Sequence, residues 1–497
     1  MGWSYSERQV NIMMLLMILL PAAAGIAVPL VKWPGRKAKL CFVAAALVLE
    51  ALLTGWMLTV PSAEMTLFSV TDSLTAALRM DGISKLFMVL AGFGFLLTGF
   101  YAFRYMEHSR REDDFFCFFL LSQAALMGMD FSANLVTMYA FFEMITLLSM
   151  PLVLHDRTEE SIRAALKYLF YSVAGAFLAL CCIFFLSRYC TGVDFVPGGS
   201  LDPSRVRGHE TLLQVVIFLG VVGFGAKAGM YPLHGWLPTA HPVAPAPASA
   251  VLSGIIAKAG VLAIIRVIFY SAGTDFLVGT WVQKAWIALA LLTVFMGSMM
   301  AYREKVLKKR LAYSSVSQIS YALLGLVFMT GDSVLGGLLH ILFHATIKVC
   351  LFLVAGSFIF QTDAHRVEEL TGYGKSMPKT LWAFTLASLA LIGIPPASGF
   401  VSKWYLALGA LDSGMAVYSW LAPVVLLISA LLTAGYLLPI TIRGFFPGRE
   451  APVPRRNAEG GPLMWLPLLI LAGLTLAMGL FSGVLVEPLR ELAESML

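Results

Sequence analysis

Long apolar runs recur along the whole chain, and most of them extend over about twenty residues. A helix of this length spans roughly 30 Å, which matches the hydrocarbon core of a membrane. The pattern therefore predicts an all-α polytopic membrane protein with about 14 transmembrane helices. We place these spans at residues 12–31, 40–60, 83–103, 114–131, 133–154, 165–187, 212–231, 247–270, 281–301, 311–330, 334–360, 381–409, 418–442 and 463–486.

The first run has neither a basic segment ahead of it nor a small-residue cleavage site, so we interpret it as a retained span. The composition agrees with a membrane protein, since 59% of the 497 residues are hydrophobic and only 13% are charged. None of the six cysteines forms a C-x-x-C pair, and no glycine-rich nucleotide motif follows a strand pattern. We therefore expect no metal and no cofactor.

Lysine and arginine are distributed unequally between the two sets of loops. One set holds 22 of these residues, whereas the opposite set and the two termini together hold 6. The positive-inside rule places the richer set in the cytoplasm, so both termini are expected on the outer side of a prokaryotic-type plasma membrane. The net charge of +6 is explained by these loops without nucleic acid as a partner. The basic loops are residues 32–39, 104–111, 157–167, 303–310, 366–379 and 443–456.

Seven further basic side chains lie inside predicted spans or at their edges. Three of them are near predicted ends and are expected to reach the interface with their long side chains: Lys85, Arg266 and Lys284. The other four lie too deep for this to be easy: Lys227, Lys258, Lys348 and Lys403. Ionisable groups at this depth are costly and indicate a functional role, so each needs a partner or a cavity.

The fifth span carries Glu143 near its middle, and this is the only acidic residue that we place centrally in the membrane. A carboxylate beside a lysine is tolerated there. A permanent salt bridge is the alternative, but a buried ion pair contributes little net stability. Lys227 precedes Pro232, which should break the seventh span and expose carbonyls that hold water. Lys258 follows a proline-rich segment in the eighth span.

The eleventh span contains His340, His344 and Lys348 at four-residue intervals, which places them on one stripe of a helix. Histidine both accepts and donates a proton, so the stripe is suited to relay protons between lysines. A zinc site is the alternative, but the span has no acidic residue to complete it, and the H-E-x-x-H pattern is absent. Residues that could support the relay by ordering water or by lying at the break are His234, His241, Ser314 and Gln318. For the hydroxyl stripe of the tenth span, plain helix packing is an equal alternative.

The twelfth span must break at Pro395 and Pro396, and Lys403 follows about two turns later. A broken helix that bears one lysine thus occurs in spans seven and twelve, which are five positions apart in the series and so run in opposite directions. We therefore predict a single membrane domain, residues 1–497, that contains two inverted five-helix repeats, typical of transporters. The predicted parts are three N-terminal helices at 12–103, repeats at 114–270 and 281–442, and a last helix at 463–486.

Five segments carry a resemblance to a known family: FFEMITLLSMPL, GAKAGMYPLHGWLPTAHPVAPAPASAVLSGIIAKAGV, KKRLAYSSVSQISY, HILFHATIKVCLFLVAGS and GIPPASGFVSKWYL. In order and spacing they resemble the antiporter-like subunits of respiratory complex I, of Mrp-type sodium/proton antiporters and of membrane-bound hydrogenases. The resemblance covers about residues 80 to 445. It implies 14 helices, two inverted five-helix bundles and a central hydrophilic axis.

The resemblance also implies roles for individual residues. Glu143 and Lys227 resemble the glutamate–lysine pair of the family, and Lys258 resembles its connecting lysine. His344 with Lys348 resembles the linking relay.

Lys403 resembles the terminal residue of the axis on the second broken helix. Some members have glutamate there, and a lysine after PPASGF looks more like the D-type subunit of Mrp antiporters. The implied function is proton translocation within a larger redox-driven or antiport complex, by a subunit without a catalytic centre. Its implied partners are other membrane subunits, peripheral redox subunits, lipid and protons, with sodium as a second cation. Because the chain ends soon after the last span, an inner position in the complex is expected over the distal one.

Two alternatives belong to other classes of protein. A self-sufficient sodium/proton or solute transporter would work without partners, but a sodium cage needs several oxygen ligands and only Glu143 is expected centrally. A catalytic quinone- or hydrogen-handling enzyme would need metal or flavin ligands, which the sequence does not show.

Overall fold

The computed structural model describes residues 7–71, 74–448 and 458–497, so Arg449, Arg455 and Arg456 of the last basic loop lie outside the described residues. The first half of the chain contains α1 (Glu7–Leu30), α2 (Arg36–Met57), β1 (Ala63–Thr71), β2 (Leu74–Met80), α3 (Gly82–Tyr105), α4 (Glu112–Asp130), α5 (Leu135–Val153), α6 (Glu159–Tyr189), α7 (Pro203–Val206), α8 (Glu210–Ala228), α9 (Leu237–Val243), α10 (Ala246–Val251) and α11 (Lys258–Val267). The second half contains α12 (Trp281–Arg303), α13 (Leu307–Phe328), α14 (Gly331–Thr362), α15 (Pro378–Ile392), α16 (Ser398–Leu411), α17 (Ala416–Phe445), α18 (Pro462–Leu480) and α19 (Gly483–Met496).

The prediction of a mostly helical membrane protein is confirmed. Within the described ranges, 12 helices are long and apolar enough to cross a membrane. Two further predicted spans correspond to α4 and to the pair α15 and α16. Large apolar side chains on the outside of the bundle suit contact with lipid or with other membrane proteins, as for Phe170, Trp420 and Leu431, which are more than two thirds exposed.

The middle of the bundle is formed by helices that have almost no outward face. The stretch from α10 to α11, together with π-helical segments at Leu252–Ile256 and Ile268–Ala272, is wholly buried. α13 and α14 are also buried over nearly their whole lengths. Since these helices are enclosed by protein, their polar side chains can find partners on neighbouring helices, and lipid does not need to solvate them.

The structure contains two features that the sequence analysis did not predict, a β-hairpin and a C-terminal amphipathic helix. β1 and β2 form an antiparallel hairpin between α2 and α3, and Ala133 N donates to Ala77 O to join the hairpin to the chain between α4 and α5. The C-terminal α19 is amphipathic and lies against the ends of other helices, with Arg490 bound to Asp332 at 2.8 Å. The all-α description is therefore correct for the spans but incomplete for the chain that connects and follows them.

Two transmembrane helices are interrupted at prolines. α8 ends at Ala228, Gly229 adopts a left-handed conformation with φ 82°, and helix resumes only at Leu237. The Trp236 indole N–H donates to Ala226 O at 2.8 Å and ties the irregular segment back to α8. α15 ends at Ile392, Gly393 has φ 92°, and α16 begins at Ser398 after the two prolines.

Arg266 differs from its expected position, because it does not reach the interface. Its side chain is 1% exposed, and its guanidinium binds both carboxylate oxygens of Asp81, at 2.6 and 3.0 Å. Asp81 also caps α3 by accepting from Ser84 N. The expectation that Arg266 reaches water is therefore wrong, and the ion pair instead joins α11 to the start of α3.

Replacing Arg266 with Met is expected to destabilise the protein by about 3–5 kcal/mol, because Asp81 would keep a largely buried charge without its partner. The matched control is Arg163→Met, since Arg163 forms an exposed ion pair with Glu159 whose loss costs at most about 1 kcal/mol. Thermal unfolding of the two purified variants measures the difference. Equal stability of both variants would contradict this account of Arg266.

Candidate functional site

Lys227 lies in the last turn of α8, directly before the first helix break, and its side chain is 0% exposed. Its ammonium donates to Thr146 Oγ1 at 2.6 Å and to Tyr168 OH at 2.9 Å. These partners come from α5 and α6, so three helices meet at this lysine. Tyr168 OH in turn lies 2.8 Å from Ser149 Oγ, which extends the line of hydroxyls along α5.

Glu143 lies one turn before Thr146 on α5 and is half-buried. Its Oε1 accepts a hydrogen bond from Tyr139 OH at 2.9 Å. Among the ion pairs of the described residues there is none between Glu143 and Lys227, although the carboxylate acts electrostatically on that lysine. Glu143 thus lies one turn from Thr146 on α5, and hydroxyl groups hold the Lys227 ammonium in place of a direct salt bridge.

Lys258 is the first residue of α11 and is 1% exposed. The π-helical turn before it frees a carbonyl, and the Lys258 ammonium donates to Ser253 O at 2.5 Å. Ser253 Oγ lies 2.6 Å from Ser315 Oγ on α13. The irregular turn therefore both supplies the partner of Lys258 and connects it to the hydroxyl-rich face of α13.

Lys348 is fully buried on α14 and reaches across to α13. Its ammonium donates to Leu311 O at 3.0 Å and to Ser314 Oγ at 2.8 Å. Ser314 also accepts from Tyr436 OH on α17 at 2.8 Å. Ser314 is one of the supporting residues expected from the sequence, and the structure places it in direct contact with the lysine.

The two histidines of α14 continue the line away from Lys348. The His344 and His340 rings are stacked with centroids 5.8 Å apart. His340 Nδ1 lies 3.0 Å from Ser402 Oγ on α16, and the His340 ring also stacks on Tyr321 at 5.3 Å. The Nε2 atom of each histidine has no partner among the described residues, so each can bind water or pass a proton.

Lys403 lies on α16 beside the second helix break, at the opposite end of the series of ionisable groups from Glu143. Its ammonium donates to the carbonyls of Leu391 and Ile392, at 2.6 and 2.7 Å. These are the last carbonyls of α15, where the helix dipole is negative and favours a cation. The same ammonium lies 5.2 Å from the centre of the Tyr321 ring, which also contacts His340.

Close helix contacts bring these separate positions into one row. A Cβ on Gly260 would lie 2.5 Å from Phe224 O, so α11 packs backbone to backbone against α8 beside Lys227. A Cβ on Gly254 would lie 2.5 Å from Val349, which places the π-helical turn against α14 beside Lys348. The row therefore runs from α5 and α8, through α11, to α14 and then to α16.

The remaining predicted support residues lie around this row. His241 on α9 is 0% exposed and its ring contacts that of Phe352 with centroids 4.7 Å apart, and neither ring nitrogen has a partner among the described residues. Lys258, Lys308 and Lys348 all act on it electrostatically. His234 is half-buried at the first break and stacks on Tyr231. Gln318 on α13 is fully buried, and its amide atoms have no side-chain or backbone partner in the described part of the chain.

Lys308 is a buried lysine that the sequence pattern places in a cytoplasmic loop. It is the second residue of α13, is 4% exposed and donates to Pro242 O at 3.3 Å and to Ala244 O. Position in the sequence could not reveal this, because a lysine at a helix end is usually exposed. The one sequence feature that could have indicated a buried lysine here is the proline-rich segment 242–247, because its free backbone carbonyls need a hydrogen-bond donor.

A polar cavity of about 380 Å³ at the surface is lined by His155, Asp156 and Pro245. Asp156, which lines it, acts electrostatically on Lys308. His155, also in its wall, lies in the loop between α5 and α6, and burial lowers its pKa below the usual value.

Fold and site together define a polytopic membrane protein whose interior holds a row of ionisable side chains at two helix breaks. The family model described as NADH:quinone oxidoreductase/Mrp antiporter, TM matches residues 132–433. The chain belongs to this family. The matched range contains every residue of the row, from Glu143 to Lys403.

Curated relatives come from several kinds of complex. NADH-quinone oxidoreductase subunit N of Desulforudis audaxviator is 33% identical, over 84% of each chain. Hydrogenase-4 component B of Escherichia coli is 31% identical, over 84% of this chain and 64% of the relative. The D-type subunit of the Na(+)/H(+) antiporter of Bacillus subtilis is 28% identical, over 84% of this chain and 83% of the relative.

Solved structures show the same fold. A chain of an archaeal membrane-bound sulfane sulfur reductase superposes with a TM-score of 0.85 at 23% identity, covering 97% of each chain. A chain of the Mrp complex from Dietzia sp. gives a TM-score of 0.84 at 22% identity, covering 98% of this chain and 97% of the other. Both neighbours are subunits of multi-subunit membrane complexes.

Proposed function

We propose that this chain is a proton-translocating, antiporter-like membrane subunit of a multi-subunit complex, and that protons move along the buried row. The observation that supports the proposal is that buried ionisable side chains lie on helices that pack directly against one another, between the two helix breaks. Its members, in order, are Glu143, Lys227, Lys258, Lys348, His344, His340 and Lys403. Burial of this many ionisable groups is costly, and proton transfer explains why they are kept in the membrane.

The partners of the lysines favour proton exchange over permanent charge pairing. Each ammonium is held by hydroxyls or backbone carbonyls, and among the described ion pairs none includes Lys227, Lys258 or Lys348. Neutral partners solvate the charged form without locking it, so a lysine can give up its proton when a neighbouring charge changes. Two unit charges about 6 Å apart interact by roughly 3 kcal/mol at an effective dielectric constant near 20. This is enough to move a proton without large helix motion.

The transported ion that suits this row is the proton. Lysine ammonium groups repel a sodium ion, and a sodium site needs several converging oxygen ligands. Within the described ranges, no group of three His, Cys, Asp or Glu residues is arranged to hold a metal ion. The chemistry of the row therefore supports proton transfer, and sodium transport in the complex would need other subunits.

The inverted repeats at 114–270 and 281–442 are part of the proposal. Each contains one broken helix, α8 with α9 and α15 with α16, and each break carries one of the lysines.

Contacts between the basic loops support the proposed sidedness of the chain in the membrane. Arg36 binds Glu112 at 2.6 Å, and Lys305 binds Glu368 at 3.3 Å, so basic loops that are distant in sequence meet at one end of the bundle. We assign this end to the cytoplasm.

The proposed partners are further membrane subunits and peripheral redox subunits of the same complex. The relatives are named as subunits of an NADH-quinone oxidoreductase, a hydrogenase and an antiporter. We propose that this chain supplies a proton path and that other subunits supply the driving reaction.

Lys348→Met tests the proposal in the assembled complex, reconstituted into liposomes with a pH-sensitive dye. The variant removes the proton-carrying group but keeps the length of the side chain, so proton transport should fall by at least about tenfold. The control is Lys284→Met, because Lys284 is exposed at the start of α12. Wild-type transport by a fully assembled Lys348→Met complex would refute the function, and antiport by the purified single chain would show a self-sufficient transporter.

A further inference from the structure

Glu50 is a carboxylic side chain deep in α2, within the apolar sequence AALVLEALLT. It is 1% exposed, and it lies on the face of α2 that packs into the protein. The expectation that Glu143 is the only central acid is therefore wrong.

Both carboxyl oxygens of Glu50 are without a hydrogen-bond partner among the described residues. No basic side chain of the described part of the chain forms an ion pair with it. Two of the three basic residues of its own helix, Arg36 and Lys39, pair with Glu112, and the third, Lys37, is exposed. Thr54 Oγ1 donates to the backbone carbonyl of Glu50 and not to the carboxyl group. The side chain is therefore not stabilised as an ion by its surroundings.

The neighbouring helices place other unpartnered polar groups at the depth of Glu50. A Cβ on Gly92 would lie 2.3 Å from Thr54, and a Cβ on Gly99 would lie 2.3 Å from Leu47, so Glu50 faces the stretch of α3 between these glycines. Thr98, in that stretch, is fully buried and its Oγ1 has no partner within the described ranges.

α4 adds a second polar group at this depth. The Phe119 ring contacts Phe95 of α3 with centroids 4.7 Å apart, which places Phe119 at the level of Glu50. Gln123 lies about one helical turn further along α4. It is fully buried, and both amide atoms are unpartnered among the described residues. α2, α3 and α4 thus each carry a buried, unpartnered polar group inside the N-terminal helices.

We propose that Glu50 is a proton-binding site of the N-terminal helices, separate from the buried row. A bare carboxylate at this depth costs several kcal/mol, whereas the neutral acid costs far less. A metal cation does not fit, because such an ion requires several oxygen ligands in contact with it. The proposal rests on the buried polar groups of α2, α3 and α4, and it does not depend on proton transfer along the row from Glu143 to Lys403.

The test uses the intact complex in its native membranes. A hydrophobic carbodiimide, dicyclohexylcarbodiimide, reacts with protonated carboxyl groups in apolar surroundings, whereas a water-soluble carbodiimide reacts with exposed ones. At neutral pH the hydrophobic reagent should modify Glu50, and mass spectrometry of the peptide should locate one added reagent. The water-soluble reagent should modify the exposed Glu160 and leave Glu50 unmodified. In Glu50→Gln the modified peptide should disappear.

Two results would overturn the proposal. One is the absence of modification at Glu50 while the reagent labels other buried carboxyl groups of the complex. The other is protection of Glu50 by added sodium at constant pH, which would show a bound cation in place of a proton.

A second measurement is independent of labelling. Glu50→Gln replaces a neutral acid by a neutral amide of the same shape, so the midpoint of thermal unfolding should shift by less than about 2 °C. A large fall in the midpoint would show that the native side chain is ionised and paired, and would contradict the proposal. Proton transport measured on the same variant reports on the row separately.

Discussion

Lys227→Ala is expected to abolish proton transport by the assembled complex while leaving its subunit composition unchanged. The ammonium of Lys227 is the only charged member of a group that joins α5, α6 and α8 through Thr146 and Tyr168. Without it, the hydroxyls can still bond to each other or to water, so the helices keep their contacts. What is lost is the group that accepts a proton at this point of the row, and transport should fall by about a hundredfold or more.

Lys227→Arg separates the proton-transfer role from a purely electrostatic one. Arginine keeps the positive charge but does not release its proton in proteins. If Lys227 only balanced the charge of Glu143, the arginine variant would transport protons nearly normally. If Lys227 carries the proton, the arginine variant should be as inactive as the alanine variant. Dye-detected proton uptake in liposomes, normalised to the amount of assembled complex, measures both.

The matched control for both substitutions is Lys284, which also lies in a transmembrane helix but at an exposed position of its first turn. Lys284→Ala and Lys284→Arg should transport protons at the wild-type rate. Full transport by an assembled Lys227→Ala complex would remove this lysine from the proposed path. Loss of partner subunits from the purified complex would instead show that Lys227 is needed for assembly.

The transmembrane helices could be predicted because each is a local feature, a run of apolar residues long enough to cross a membrane. The hairpin of β1 and β2 could not be found in this way, since its strands are short and alternate apolar with polar residues. α19 escapes prediction for a related reason, because an amphipathic helix at the interface has no long apolar run. Prediction from apolar runs therefore succeeds in the membrane and fails at its surface.

The buried lysines could also be predicted, because a charge inside an apolar run is conspicuous. Their partners could not, because Thr146 and Tyr168 are 81 and 59 residues from Lys227 in the chain. The same separation explains the wrong expectation for Arg266, whose partner Asp81 is 185 residues away. Depth along a helix can be read from sequence, whereas the face that a side chain presents and the group that meets it depend on packing between helices.

The second break offers a prediction that concerns backbone packing and not a proton-carrying group. Gly399 lies in the first turn of α16, and a Cβ there would lie 1.9 Å from Ala390 O in the last turn of α15. Gly399→Ala must therefore push the two half-helices apart. We expect a loss of about 1–3 kcal/mol in stability. Thermal unfolding of the purified protein measures this loss.

The same displacement should reach the end of the proposed path. Lys403 is one turn beyond Gly399 and is held by the carbonyls of Leu391 and Ile392, so a shift of α16 against α15 breaks both hydrogen bonds. Proton transport in Gly399→Ala should fall by at least about tenfold even though every ionisable group is still present. Gly473→Ala in α18 is the control, because a Cβ there meets nothing within 4 Å, and it should keep both stability and transport. Normal transport by Gly399→Ala would mean that the position of Lys403 at the end of α15 has no part in moving protons.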